Sequence, residues 1–156
     1  MVKDIYQWIN DYGVSHQNPT NKKIHWVCVP VIMFTLLGLL SLVKFNMGGF
    51  KINLAYIFIA LAWLFYLRLS IKISIGMFVI SILFLIGIYQ LEQVIGLENQ
   101  RLLFIYVGFF VLAWIGQFIG HKIEGQKPSF FEDLQFLLIG PAWLLSFIYK
   151  KLGIKY

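Results

Sequence analysis

The stretch ISIGMFVISILFLIGIYQL, from Ile73 to Leu91, decides the fold class of this chain. It contains no charged residue, and a helix needs about 20 predominantly apolar residues to cross the hydrocarbon core of a bilayer. Similar runs extend from Ile24 to Val43 and from Leu102 to Gly120, and a shorter one from Ile52 to Leu67 ends beside Arg68. Because an arginine side chain can reach the interface from such a position, we predict an all-α bundle of about four transmembrane helices.

The composition of the whole chain agrees with this prediction. Of its 156 residues, 60% are hydrophobic and 13% are charged, and the mean hydropathy is +0.78. Soluble domains are closer to half apolar and a quarter charged. A water-soluble fold of this size could not cover so much apolar surface, so we predict an integral, multi-pass membrane protein. Its length suits a single membrane domain over residues 1–156.

Two weaker segments flank the four predicted spans. Apolar residues at helical spacing between residues 2 and 12 predict a short interfacial helix. Near the other end, an apolar segment from Leu134 to Tyr149 follows a capping-box pattern of Ser129 and Glu132. Pro141 falls in the middle of that segment, where a proline removes a backbone hydrogen bond. We therefore predict a C-terminal helix that is broken at Pro141 and is re-entrant or lies along the surface.

The positive charges favour four spans over five. With four spans, ten of the thirteen lysines and arginines lie on one side of the membrane and three on the other, whereas five spans would divide them seven to six. The side richer in lysine and arginine is normally cytoplasmic, so we predict that both termini face the cytoplasm. The net charge of +6 comes from residues at the ends of apolar runs. Lipid head groups are therefore the expected partners, and nucleic acid is not.

Three histidines carry the most informative chemistry. His16 and His25 lie at the start of the first span and His121 at the end of the fourth, so four crossings place all three on one side. Imidazoles that converge at one end of a bundle can form a metal site. The alternative is that each histidine is simply a polar residue at the interface, and the spacing alone leaves both interpretations open.

Polar neighbours accompany the histidines. Glu124 lies three residues after His121 and Gln117 lies four residues before it, so one helical face carries all three if the helix continues past Gly120. Glu124 is then a candidate ligand, or an acceptor that orients His121, or an interfacial carboxylate that pairs with a lysine. Nearer the N-terminus, asparagines in the stretch SHQNPTNKK suit a turn and a helix cap.

Two motifs carry a resemblance to a known family. The first is Y-x-x-x-H-x-N-x-x-N-x-x-x-H-x-x-x-x-P, from Tyr12 to Pro30. The second lies between Gln117 and Gln135 and joins Q-F-x-G-H to a following acidic residue, a proline and a glutamine. Together they resemble the 2-hydroxy fatty acid dioxygenase family of phytosphingosine breakdown, a family of small multi-pass membrane proteins. The family's acidic residue usually stands one place later than Glu124.

The resemblance implies an Fe(II)-dependent dioxygenase that shortens 2-hydroxy fatty acids by one carbon, a form of α-oxidation. Its substrates would be a 2-hydroxy fatty acid and O₂, and it would lie in a bacterial inner membrane or the endoplasmic reticulum with its site facing the cytoplasm. A 2-hydroxy acid can chelate iron through its hydroxyl and one carboxylate oxygen, and three imidazoles then leave a position for O₂ in an octahedral shell. The implied catalytic residues are His16, His25, His121 and Glu124, with the three histidines as metal ligands and with Asn18, Asn21 and Gln117 beside the cofactor.

Two other functions are compatible with the residues themselves. One is a non-catalytic membrane protein that binds lipid, in which the polar motifs serve as helix caps. The other is a zinc-dependent membrane lipid hydrolase, because zinc also accepts three histidine ligands. The bound metal distinguishes the three functions. The sequence makes no prediction about an oligomer.

Overall fold

The computed structural model describes residues 3–96, 99–125 and 136–156. These residues form a helical bundle, as the hydropathy predicts, together with one short hairpin that it does not predict. The hairpin strands are β1 (Lys44–Met47) and β2 (Phe50–Asn53). The helices are α1 (Ile5–Val14), α2 (Pro19–Leu42), α3 (Leu54–Leu69), α4 (Ile71–Ile95), α5 (Asn99–Glu124) and α6 (Ile139–Lys151).

Three of these helices, α2, α4 and α5, are long and apolar enough to cross a membrane. The fourth predicted span, α3, is apolar but has 16 residues, which corresponds to about 24 Å of helix. It connects the hairpin to the start of α4. The all-α membrane bundle predicted from the sequence is confirmed.

The closest helix pair is α2 and α5, which lie antiparallel. At one end Gly38 of α2 faces the ring of Tyr106, and a Cβ at Gly38 would overlap that ring. At the other end Gly120 of α5 faces the side chain of Asn21 in the same close manner. Because transmembrane helices associate by close packing of their surfaces and not by leaving water, these glycines determine how near the two helices lie.

The hairpin between α2 and α3 is a departure from the predicted architecture. Its strands pair antiparallel from Lys44 with Asn53 to Met47 with Phe50. Gly48 and Gly49 form the turn with positive φ angles of 58° and 86°, the conformation that favours a two-glycine hairpin. The hairpin lies at the end of the bundle opposite the histidines.

The C-terminal helix differs from its prediction in the position of its proline. Helix α6 begins at Ile139, so Pro141 lies in its first turn, where a missing N–H breaks no helical hydrogen bond. The predicted bend at Pro141 is therefore wrong, and the preceding residues 136–138 form a turn. The proposed cap by Ser129 and Glu132 lies outside the described residues.

Helix α6 lies across the histidine end of the bundle. It has 13 residues, about 20 Å in length, which is too short to cross the hydrocarbon core. Its middle is buried against α1 and α4. After the helix, the ring of Tyr156 stacks on Tyr6 with centroids 5.2 Å apart. Both ends of the chain therefore lie at the same end of the bundle, as four spans require.

Candidate metal centre

The three histidines come together from three separate elements. His16 lies in the turn between α1 and α2, His25 in α2 and His121 in the last turn of α5. Their exposed fractions are 2%, 0% and 6%, so all three imidazoles are buried. One nitrogen from each ring lies within 4.8 Å of those from the other two. Among the described residues, this is the group of side chains that could hold a metal ion.

Hydrogen bonds to backbone carbonyls determine where two of these imidazoles carry a proton. His16 Nδ1 lies 2.6 Å from the carbonyl oxygen of Tyr12, and His25 Nδ1 lies 3.0 Å from that of Asn21. A carbonyl oxygen can only accept, so each Nδ1 carries a hydrogen and donates it. In the neutral rings both Nε2 atoms are therefore unprotonated, and they lie 2.9 Å from each other.

Two unprotonated nitrogens at this distance repel each other unless a cation or an extra proton lies between them. Metal-binding histidines typically donate their other N–H to a carbonyl or carboxylate, as His16 and His25 do. Two nitrogens that each lie about 2.1 Å from one ion, at a right angle, are about 3.0 Å apart. The spacing of these two nitrogens therefore fits a single divalent transition metal, and a nitrogen of His121 lies within 4.8 Å of both.

The ring of Tyr12 supports the imidazole of His16. The two rings stack with centroids 4.1 Å apart and planes inclined by 14°. The same residue supplies the carbonyl that accepts from His16 Nδ1, so Tyr12 restricts both the tilt and the rotation of this imidazole. Sequence reasoning placed Tyr12 in the family motif but gave it no role. The signal available was its position four residues before His16 at the end of a helix.

Glu124 fastens the turn between α1 and α2 to the end of α5. Its carboxylate accepts from the backbone N–H of Gln17 at 2.6 Å, from that of Asn18 at 2.9 Å and from Asn21 Nδ2 at 2.9 Å. Helix α5 does continue past Gly120, as the spacing of Glu124 and His121 required. Among the described residues the carboxylate contacts these three donors and no lysine.

Asn18 and Asn21 make different contacts. Asn18 is the N-cap of α2, and its side chain accepts from the N–H of Thr20 at 2.8 Å, which confirms the predicted helix cap. Asn21 is fully buried, and its backbone oxygen and side-chain amide bridge His25 to Glu124. Its Oδ1 has no hydrogen-bond partner and lies against Gly120. Asn21 therefore joins α2 to α5 directly beside the histidines.

Comparison with known proteins agrees with the motifs around these residues. The model of a family described as "2-hydroxy-palmitic acid dioxygenase Mpo1-like" matches residues 2–152. The chain belongs to the Mpo1-like family. It is also similar to the 2-hydroxy-palmitic acid dioxygenase MPO1 of Saccharomyces cerevisiae, with 28% identity over 152 residues that cover 96% of this chain and 82% of the yeast protein. No solved structure matches the chain.

A small cavity in this member of the Mpo1-like family is lined by Tyr12, whose ring stacks on His16. Tyr12 and Gln117 line it together with apolar residues of α2 and α6, and its volume is about 30 Å³. Gln117 is 5% exposed and lies one helical turn before His121. Gln117, predicted to lie beside the cofactor, is therefore a buried residue in the wall of this cavity.

Proposed function

We propose that this chain is an Fe(II)-dependent dioxygenase that shortens a 2-hydroxy fatty acid by one carbon. In this proposal His16, His25 and His121 hold one iron ion. The observation that carries it is the buried cluster in which ring nitrogens of all three histidines lie within 4.8 Å of one another. The names of the family and of the yeast relative support 2-hydroxypalmitate as the type of substrate.

The chemistry of the donor set supports iron as the cofactor. Imidazole nitrogens suit iron, zinc and copper, and non-haem iron oxygenases leave several ligand positions open for substrate and O₂. Ferrous iron would supply the redox chemistry that O₂ requires to react with a saturated hydroxy acid. Three protein ligands leave room for both substrates, which supports a mononuclear site.

The surrounding residues would hold the imidazoles in place. Tyr12 and Asn21 accept from the Nδ1 atoms, which would direct each Nε2 toward the metal. We assign Glu124 a positioning role and not that of a fourth ligand, because its oxygens already accept from Gln17, Asn18 and Asn21. Asn18 caps α2 and so determines where this helix begins. The start of the helix in turn determines where His25 lies. Gln117, in the wall of the small cavity, would face the polar end of the substrate.

The proposal also includes the side of the membrane that the site faces. Most lysines and arginines lie at the histidine end of the bundle, which supports a site that faces the cytoplasm. The substrate would then present its carboxylate near the interface while its acyl chain stays in the hydrocarbon. An inner bacterial membrane or the endoplasmic reticulum fits this arrangement.

Metal content and O₂ uptake test the proposal. We expect purified protein to contain about one iron per chain and to consume O₂ when 2-hydroxypalmitate is added. Replacing His16, His25 or His121 with alanine should abolish both, while helix content is retained. Lys122→Ala is the matched control, since Lys122 is exposed and adjacent to His121, and it should keep both iron and activity.

Other outcomes would support the alternative functions. Zinc in place of iron, with release of fatty acid from a lipid ester, would identify a hydrolase. Absence of any metal from protein prepared without chelators, with wild-type behaviour of all three histidine variants, would overturn the metalloenzyme and leave a lipid-binding protein.

A further inference from the structure

An apolar groove leads away from the small cavity beside the histidines. Helices α2, α4 and α6 enclose it, and its volume is about 120 Å³. Met33, Leu37, Met77 and Leu145 form its floor and are all buried. The one hydroxyl in its lining, that of Ser81, donates to a backbone carbonyl at 2.9 Å. The groove therefore suits hydrocarbon and offers little to a polar group.

The groove and the small cavity share part of their walls. Val29, Met33 and Pro141 line both. The small cavity has the polar side chains of Tyr12 and Gln117 in its wall, and the adjoining groove is apolar. A molecule with a polar head and a hydrocarbon tail matches this arrangement, since a binding site typically combines apolar walls with a few convergent polar groups.

We propose that the groove between α2, α4 and α6 binds the acyl chain of the substrate, with the carboxyl end in the small cavity. The identity of the chain as that of a 2-hydroxy fatty acid rests on the proposed function. Along α2 the groove extends from Trp26 to Leu37, about 17 Å of helix. Trp26 and Ile148 are each 42% exposed and form its rim, so the chain can enter sideways from the bilayer.

The groove selects a chain by its length and shape. Moving a methylene from lipid to a protein groove gains little from the hydrophobic effect, because lipid tails are already apolar. Close packing of the chain against the floor is what distinguishes one length from another. A bulky side chain in the groove should therefore act on long substrates and leave short ones unaffected.

A second apolar hollow provides a matched control. It lies between α2, α4 and α5 and has a volume of about 410 Å³. It shares Pro30 and Phe84 with the groove but no lining residue with the small cavity. Ile80 lines the groove and Ile105 lines the second hollow. Both are half-buried isoleucines, so the same substitution can be made at each.

Chain-length preference tests the groove in the iron-loaded protein. We expect Ile80→Trp to raise the KM for 2-hydroxypalmitate by about tenfold or more and to leave that for 2-hydroxyoctanoate within about twofold, since lost packing in an apolar pocket has this magnitude. Ile105→Trp should leave both KM values within about twofold of wild type. Equal effects of the two variants, or an effect of Ile80→Trp on both substrates alike, would overturn the proposal.

Photolabelling tests the same groove without relying on turnover or on a variant that folds. A 2-hydroxy fatty acid with a diazirine near its methyl end, added to wild-type protein in vesicles, should label residues of the groove such as Met77 and Leu145. Excess unlabelled 2-hydroxypalmitate should suppress this labelling. Groove labelling in a protein that consumes no O₂ would contradict the proposed function while supporting the groove.

Three other results would overturn the groove even in an active enzyme. Labelling that excess 2-hydroxypalmitate does not suppress would assign the groove to bulk membrane lipid. Labelling of Ile105 and Phe109 would place the chain in the second hollow. Crosslinks between two copies of the chain through Trp26 and Ile148 would assign the groove to a dimer interface.

Discussion

Nε2 of His16 and Nε2 of His25 lie 2.9 Å apart, and each ring donates its Nδ1 proton to a backbone carbonyl one helical turn earlier. The carbonyls of Tyr12 and Asn21 thereby determine which nitrogens point into the cluster. A bound cation between the two Nε2 atoms would accept a lone pair from each. The predictions below test the residues that maintain it.

The contact between Asn21 and Glu124 can be tested by exchanging donor and acceptor. Asn21→Asp opposes two carboxylates, and Glu124→Gln replaces one accepting oxygen with an NH₂ group that faces N–H donors. Each should therefore lower metal affinity by about 10- to 100-fold. The double variant restores one donor and one acceptor and should recover most of the lost affinity. Competition titration with a chelator measures each dissociation constant. A double variant as weak as the poorer single variant would show that this hydrogen bond does not position the cluster.

Gly120 is expected to tolerate no side chain. A Cβ there would overlap Asn21 Oδ1 and lie 3.5 Å from His25 Cε1, and Asn21 cannot move away because Glu124 holds its amide. We expect Gly120→Ala to cost about 1–3 kcal/mol of stability through overpacking and to reduce bound iron. Gly108→Ala on the same helix has nothing within 4 Å and should be neutral or slightly stabilising. Thermal unfolding with metal analysis compares them, and equal behaviour would argue against a close contact at Gly120.

The ring of Tyr12 and its hydroxyl can be separated by two variants. Tyr12→Phe keeps the stacked ring and the backbone carbonyl, so iron should stay bound at the wild-type level. Tyr12→Leu removes the stacking, which is worth about 0.5–1.5 kcal/mol, and should weaken metal binding by about two- to tenfold. The measurement is again a chelator titration. Loss of iron in Tyr12→Phe equal to that in Tyr12→Leu would transfer the role from the ring to the hydroxyl.

Single cysteines can locate the two ends of the bundle. In a Cys28→Ala background, cysteines that replace the exposed residues Lys122 and Lys151 should react with a membrane-impermeant maleimide from one side only. A cysteine in place of Lys51, in the hairpin, should react from the other side. The lysine and arginine asymmetry predicts that the Lys122 side is cytoplasmic. Labelling of positions 122 and 151 from opposite sides would exclude four spans and a C-terminus that returns to α1.

Several features of the structure were accessible from local sequence patterns. The long apolar runs predicted α2, α4 and α5, because hydrocarbon requires a minimum length of apolar helix. The asparagine before Pro19 predicted the cap of α2. The hairpin was not predicted although its Gly48–Gly49 pair is a recognisable turn signal, since its short strands lie between two long apolar runs that dominate the hydropathy.

The position of Pro141 shows that local sequence patterns do not predict where a helix begins. A proline is compatible with the first turn of a helix and disruptive in its interior, and hydropathy does not say where the helix begins. Apolar residues on both sides of Pro141 suggested one continuous segment. The structure begins α6 at Ile139 instead, where its apolar residues pack against α1 and α4.

Hydropathy, charge and spacing were enough to predict a membrane bundle with its three histidines at one end, because each of these signals acts within a single helix. The cluster itself depends on contacts between distant parts of the chain. Glu124 meets Asn21 across 103 positions of sequence, and Gly120 allows α5 to approach α2 closely enough for that contact. Only the packed helices bring the unprotonated nitrogens of His16 and His25 to 2.9 Å, since side-chain convergence is a property of helix packing and no local pattern encodes it.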